Sequence, residues 1–183
     1  MHRLLSYDLR RALPTDAGPI AMVHICGWQT AYRGQLPDRY LDELGPQLPA
    51  RTEFWATHIS TPPPQTEIWV ARDATNVVGF VALGPARLAE NNAIGEIYAI
   101  YVDPQFWNKG AGRQLFRHSM DRLTSMGYSQ GLLWVLESNS RARRFYEIAG
   151  WTWDGSSKTE MLPGDIELRE VCYRKTLQPL KEE

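Results

Sequence analysis

The chain has 183 residues, 43% hydrophobic and 22% charged, with a formal net charge of −1, which suits one well-formed core and argues against two, so residues 1–183 are read as a single domain. Near-zero charge without a basic stripe excludes a nucleic-acid binder, and no apolar run approaches the roughly 20 residues of a membrane span. Two cysteines, Cys26 and Cys172, without a C-x-x-C pair or a secretory pattern at residues 1–13, point to a reduced, cytoplasmic setting.

Residues 7–12 read as a short first strand, and Pro14, Thr15 and Asp16 supply a turn and a helix cap. A helix follows to about Tyr32, with Ile20, Val23 and Gly27 on one face; Gly34 and Pro37 break it. Residues 38–44 and 49–59 read as two shorter helices before the stiff Pro62-Pro63-Pro64 loop. Residues 67–72 and 77–83 are rich in Val, Ile, Trp and Phe around a turn at 73–76, so they form an antiparallel hairpin.

Residues 93–127 read as strand, glycine turn, helix. The strand at 94–102 is β-branched and aromatic, and Pro104 stops it. After the loop at 105–109, Gly110 and Gly112 open a helix in which Leu115, Phe116, Ser119, Met120 and Leu123 recur at helical spacing, and Gly127 closes it. Unpaired N–H groups and the positive dipole end of such a helix attract an anion. The glycines let a phosphate approach the amides at 108–113, with Lys109 and Arg113 adding charge at the rim; the simpler alternative is a helix-entry turn without a ligand. Residues 132–136 are a short apolar strand, Asn139 caps a helix that faces the core through Ala142, Phe145 and Ala149, and Gly150 ends it. Residues 151–153 begin another strand, and 167–177 alternate and close the sheet. Trp69, Trp134 and Trp153 are expected in the core, with Trp134 near enough to the split to touch substrate. The order is α+β with a mixed, mostly antiparallel sheet, whose parallel strand pair around the Gly110 helix leaves a gap at its carboxyl ends.

The segments YVDPQFWNKGAGRQLF, ESNSRARRFYEIAGW and GEIYAIYV together resemble the GNAT superfamily of acetyl-CoA-dependent N-acetyltransferases over most of the chain. One departure is Trp107, where the family motif has Arg or Gln. The resemblance implies a splayed central strand pair holding acetyl-CoA as cosubstrate. It implies that Ile100, Tyr101 and Val102 offer strand-edge groups to the pantetheine arm and acetyl carbonyl. Asn108, Lys109, Gly110, Ala111, Gly112 and Arg113 would hold the pyrophosphate, Asn139 the pantetheine, and Tyr146 would sit by the sulfur. Asn139 and Tyr146 are seven residues apart, about 10 Å along one helical face, and Arg143 shares that face, placed for a CoA phosphate while Arg141 and Arg144 point elsewhere.

Acetyl transfer to an amine needs a base, because an alkylamine of pKa about 10.4 is neutral only to about one part in a thousand at pH 7. Glu96 stands where several family members carry a catalytic Glu, and alternation puts Glu96, Tyr98 and Ile100 on one strand face. The plainer reading of Glu96 is a strand carboxylate paired with an arginine. Tyr146 is assigned as general acid to the departing thiolate; packing beside Phe145 is its alternative. By resemblance Trp28 and Tyr32 line the acceptor pocket, with Tyr98 also assigned to substrate; core packing or a surface stack is the alternative for Trp28 and Tyr32. Four scattered histidines give no metal-ligand spacing. The expected acceptor is a small-molecule or peptide amine, with no membrane or nucleic-acid partner; a homodimer follows by analogy alone. The rival function is a catalytically silent CoA-binding sensor or interaction module.

Overall fold

A computed structural model describes residues 6–87 and 93–178. In chain order it contains β1 (Asp8–Arg11), α1 (Ala17–Ala31), α2 (Asp38–Asp42), α3 (Leu48–Ser60), β2 (Glu67–Arg72), β3 (Val77–Pro85), β4 (Ile94–Val102), α4 (Ala111–Ser125), β5 (Gln130–Leu136), α5 (Ser140–Ile148), β6 (Thr152–Leu162) and β7 (Ile166–Thr176). The strands form one sheet in the order β1-β2-β3-β4-β5-β7-β6. All neighbours are antiparallel except β4 and β5. This is the expected α+β fold with one parallel pair.

The parallel ladder is short. It joins Ile94 with Gln130 through Ile97 with Leu133; beyond that β4 pairs with β3 and β5 with β7. The first four residues of β4 are buried and the last five only half-buried, because the neighbouring strand has left. One sheet face packs on α4 through Leu115, Phe116 and Leu123 against Val81, Leu83, Ile97 and Leu133. Each such side chain contributes about 1.5–3 kcal/mol. The other face packs α1 and α3 on Ile68, Val70, Phe80 and Ala82. Gly79 lets α4 approach, since a Cβ there would lie 2.9 Å from the Tyr101 carbonyl oxygen and 3.0 Å from Leu115 Cδ1.

Two expectations change. Ala82 pairs with Ala99 but Leu83 with Ile97, so β4 carries an extra residue at Tyr98 and its alternation changes phase. Ile100 packs towards α4, whereas Ala99 and Tyr101 pack towards α1 and α3. Ile100 therefore does not share a face with Glu96 and Tyr98. Residues 151–153 do start a strand, but it is an edge strand running to Leu162 and mostly exposed. Trp153 is 51% exposed, outside the core, because β6 has a neighbour on one side only.

Candidate active site

A cavity of about 580 Å³ opens where β4 and β5 part. Its walls are residues 97–102 of β4 and 133–136 of β5, with the turn into α4 at one end and α1, β7 and the start of α5 around the rest.

At the α4 end, Gly110 is the helix N-cap at φ 100 and Asn108 is at φ 61, a conformation that glycine and asparagine tolerate best. This bend leaves the first-turn amides of Ala111, Gly112 and Arg113 without intrahelical acceptors. Asn108, Gly110, Gly112 and Arg113 line the cavity. Ala111 is fully buried in the core, so only its main chain can serve. Lys109 is not among the lining residues: its N–H donates to the Phe106 carbonyl and its ammonium lies 5.2 Å from the Phe106 ring. Trp107 donates from Nε1 to the Val102 carbonyl at 2.8 Å, tying the bend to the tip of β4, and the Arg141 guanidinium lies 3.7 Å above its ring. The position that departs from the motif thus carries a cation borrowed from α5.

Arg143 does not face the cavity. Its Nε donates to the Tyr173 hydroxyl and its Nη1 to the Glu137 carbonyl, while Arg141 and Arg144 line the space. Asn139 is the α5 cap with ψ 71, outside the helix, and its Oδ1 accepts from the Ala142 N–H. Its bonds to Tyr173 and to the Glu137 carbonyl turn Arg143 towards β7, which helical spacing alone does not reveal.

In the middle, Asp103 donates its N–H to Val78 on β3. Alternation turns the peptide groups of Tyr101 to β3 as well and those of Ile100 and Val102 to the gap. Tyr101 therefore offers the cavity its side chain and not its main chain. The Val102 carbonyl is taken by Trp107, which leaves the N–H groups of Ile100 and Val102 at the split. Tyr146 and Asn139, each 8% exposed, also reach the cavity. Burial raises the Tyr146 pKa, with Tyr101 adding to the effect, and no hydrogen bond engages its hydroxyl among the described residues.

The far end is aromatic. Trp28 Nε1 donates to the Tyr101 hydroxyl at 2.8 Å, Tyr32 lies 3.5 Å from the same oxygen, and the Trp28 and Tyr32 rings meet edge to face at 4.9 Å. Burial raises the pKa of both tyrosines, and Glu170 adds to it. Tyr98 lines the wall but donates to the Pro85 carbonyl, and burial pushes its pKa up to about 12.

Glu96 is absent from the lining. It is 1% exposed; one oxygen receives Arg87 Nε and Nη2, and the other receives the Arg87 backbone N–H. Glu96 is thus a strand carboxylate held by an arginine. Among the described lining residues the carboxylate is Glu170. Sequence reasoning missed it, as it missed Arg141 and Arg144. The alternation of β7 puts Leu168, Glu170 and Cys172 on one face, but nothing local says that this face meets a cavity.

Residues 27–151 match the sequence pattern of a family described as the acetyltransferase (GNAT) family. An uncharacterized N-acetyltransferase of Bacillus subtilis, YuaI, is 33% identical over 132 residues, 72% of each chain. A probable N-acetyltransferase of Mycobacterium tuberculosis, Rv2775, is 27% identical over 173 residues, 91% of each. Among solved structures, a GCN5-related N-acetyltransferase from Rhodopseudomonas palustris superposes with a TM-score of 0.75 at 16% identity, covering 96% of this chain and 98% of its own. The PaiA N-acetyltransferase of Thermoplasma acidophilum, in complex with coenzyme A, gives 0.69 at 17% identity, covering 94% and 99%.

Proposed function

The chain belongs to the acetyltransferase (GNAT) family, and from that premise we propose that it transfers the acetyl group of acetyl-CoA to a primary amine by direct attack, with Tyr146 as general acid. The observation that carries this is a single cavity lined at once by the first turn of α4, by Tyr146, and by aromatic residues with a carboxylate, Glu170. The PaiA structure contains coenzyme A, which supports the choice of cosubstrate.

Acetyl-CoA supplies an activated acyl group and leaves as a thiol. The residues around it have four tasks. The amides of 111–113, helped by Arg113, Arg141 and Arg144, suit a diphosphate at a helix N-terminus. Asn139 keeps its Nδ2 donor for the pantetheine, since Oδ1 caps α5. The N–H groups of Ile100 and Val102 face the split, where a carbonyl oxygen gains negative charge during attack; one such donor is worth about 10²–10³ in rate. Tyr146 remains protonated across the working range, because burial raises its pKa. The same desolvation makes a departing thiolate more basic than its usual 8.5 or so, so the proton moves from phenol to sulfur without a large mismatch. The ammonium first gives one proton to solvent, and the neutral amine that attacks, acidified as it becomes an amide, gives its second to the Tyr146 phenolate, which has passed its own to sulfur.

Glu96 is not the base. Its oxygens are committed to Arg87, and this pair serves the sheet beneath the site. The test is acetyl-CoA consumption across a panel of amines, beside calorimetry with CoA. Tyr146→Phe is expected to lower turnover by about 10²–10⁴ with CoA affinity unchanged. Unchanged turnover removes Tyr146 from the mechanism. CoA binding without acetylation of any amine would make the chain a CoA-binding module.

A further inference from the structure

The acceptor end already contains an alkylammonium. Lys158, on the exposed strand β6, reaches across to Glu170 on β7, its Nζ 3.1 Å from Oε2. The same Nζ stands 4.7 Å from the centroid of the Trp134 ring. Both Trp134 and Glu170 line the cavity. One cation is thus held by a carboxylate and a π face together, which is the recognition an aliphatic primary amine needs. The side chains are 28% exposed for Lys158 and 18% for Glu170, so the lysine can swing to water while the carboxylate stays in the wall.

The surroundings favour the same ligand. Glu170 lies close enough to Tyr32 and Tyr101 to influence their protonation, so its charge is felt throughout the aromatic end. The cations that line the cavity, Arg113, Arg141 and Arg144, belong to the α4 and α5 side. The space is bipolar, and a cationic acceptor is drawn to the Glu170 end.

Resting on the acetyltransferase reading above, we propose that Glu170 and Trp134 form the seat of the acceptor's ammonium group, and that Lys158 occupies this seat until a substrate amine displaces it. The favoured acceptors are cationic aliphatic amines with an apolar stem that can lie along Trp28 and Tyr32. Aromatic amines, uncharged at neutral pH, gain nothing from the seat. Lys158 is an intramolecular competitor that excludes weak cations.

Two readouts separate this proposal from the reading it rests on. In binding, n-butylammonium is titrated while the Trp134 indole resonance, assigned with Trp134→Phe, is followed. The wild type should shift, Glu170→Gln should shift at concentrations roughly tenfold higher, and Lys158→Met at lower ones. In kinetics, Glu170→Gln should raise KM for cationic amines roughly tenfold, leave KM for an aniline unchanged, and leave CoA affinity unchanged by calorimetry. An equal response of the wild type and Glu170→Gln to n-butylammonium, or a Lys158→Met variant that binds it no better, overturns the seat even if amines are acetylated. If the indole responds as expected and no amine is acetylated, the seat stands and the acetyltransferase reading falls.

Discussion

The two ends of the cavity are built differently. At the α4 end the wall presents main-chain amides from one bend, where Gly110 takes φ 100 and consecutive residues supply the groups. At the aromatic end the wall is made of side chains from several elements, Trp28, Tyr32, Tyr101, Trp134 and Glu170, and Lys158 of β6 reaches Glu170. An end made of backbone tolerates side-chain change and fails when the backbone cannot bend. An end made of side chains from several elements depends on the fold that assembles them.

That contrast is sharpest at His24, which sits behind Tyr101 with ring centroids 4.7 Å apart and Nδ1 3.3 Å from an Arg51 nitrogen. Burial, then Arg51, lowers its pKa from 6.5 to about 3. The folded state therefore binds its proton later than the unfolded chain does. Stability is complete above pH 6.5 and lost as pH falls towards 3, at up to about 1.4 kcal/mol per unit. Urea melts of the wild type between pH 7 and 4 should show this loss, and His24→Gln should remove several kcal/mol of it; parallel pH curves would break the argument.

A smaller effect is expected at Glu96. Glu96→Gln weakens a buried pair that Arg87 closes, which should lower stability by about 1–3 kcal/mol while turnover stays within about twofold at saturating amine. A loss of turnover as large as that of Tyr146→Phe would return Glu96 to the chemistry. The smallest effect concerns the bend. Gly110→Ala places a Cβ in the left-handed region at a cost of about 1–2 kcal/mol, read as a roughly tenfold weaker CoA affinity with amine recognition by binding unchanged. Equal weakening at both ends would mean that they do not act separately.

The strand, glycine turn and helix over residues 94–125 were legible because each signal is local: β-branched residues, then Pro104, then glycines before an amphipathic run. So were the hairpin of β2 and β3 and the cap at Asn139. The phase of β4 was not legible, since the bulge at Tyr98 is set by pairing with β3 and leaves no mark in alternation. The direction of Arg143 was not legible either, because its bonds to the Tyr173 hydroxyl and the Glu137 carbonyl are made with residues outside α5. Trp153 looked like core because tryptophan usually is, but edge position overrides composition.

What the sequence determined by itself is the order of elements and the glycine bend before α4, which depend on neighbours a few residues apart. Only the tertiary structure decided that Arg87 closes over Glu96, that Arg141 stands on Trp107, and that Lys158 bridges Glu170 and Trp134. Those contacts join residues on different elements, and their geometry follows from strand register and from the parting of β4 and β5, neither of which any single segment encodes.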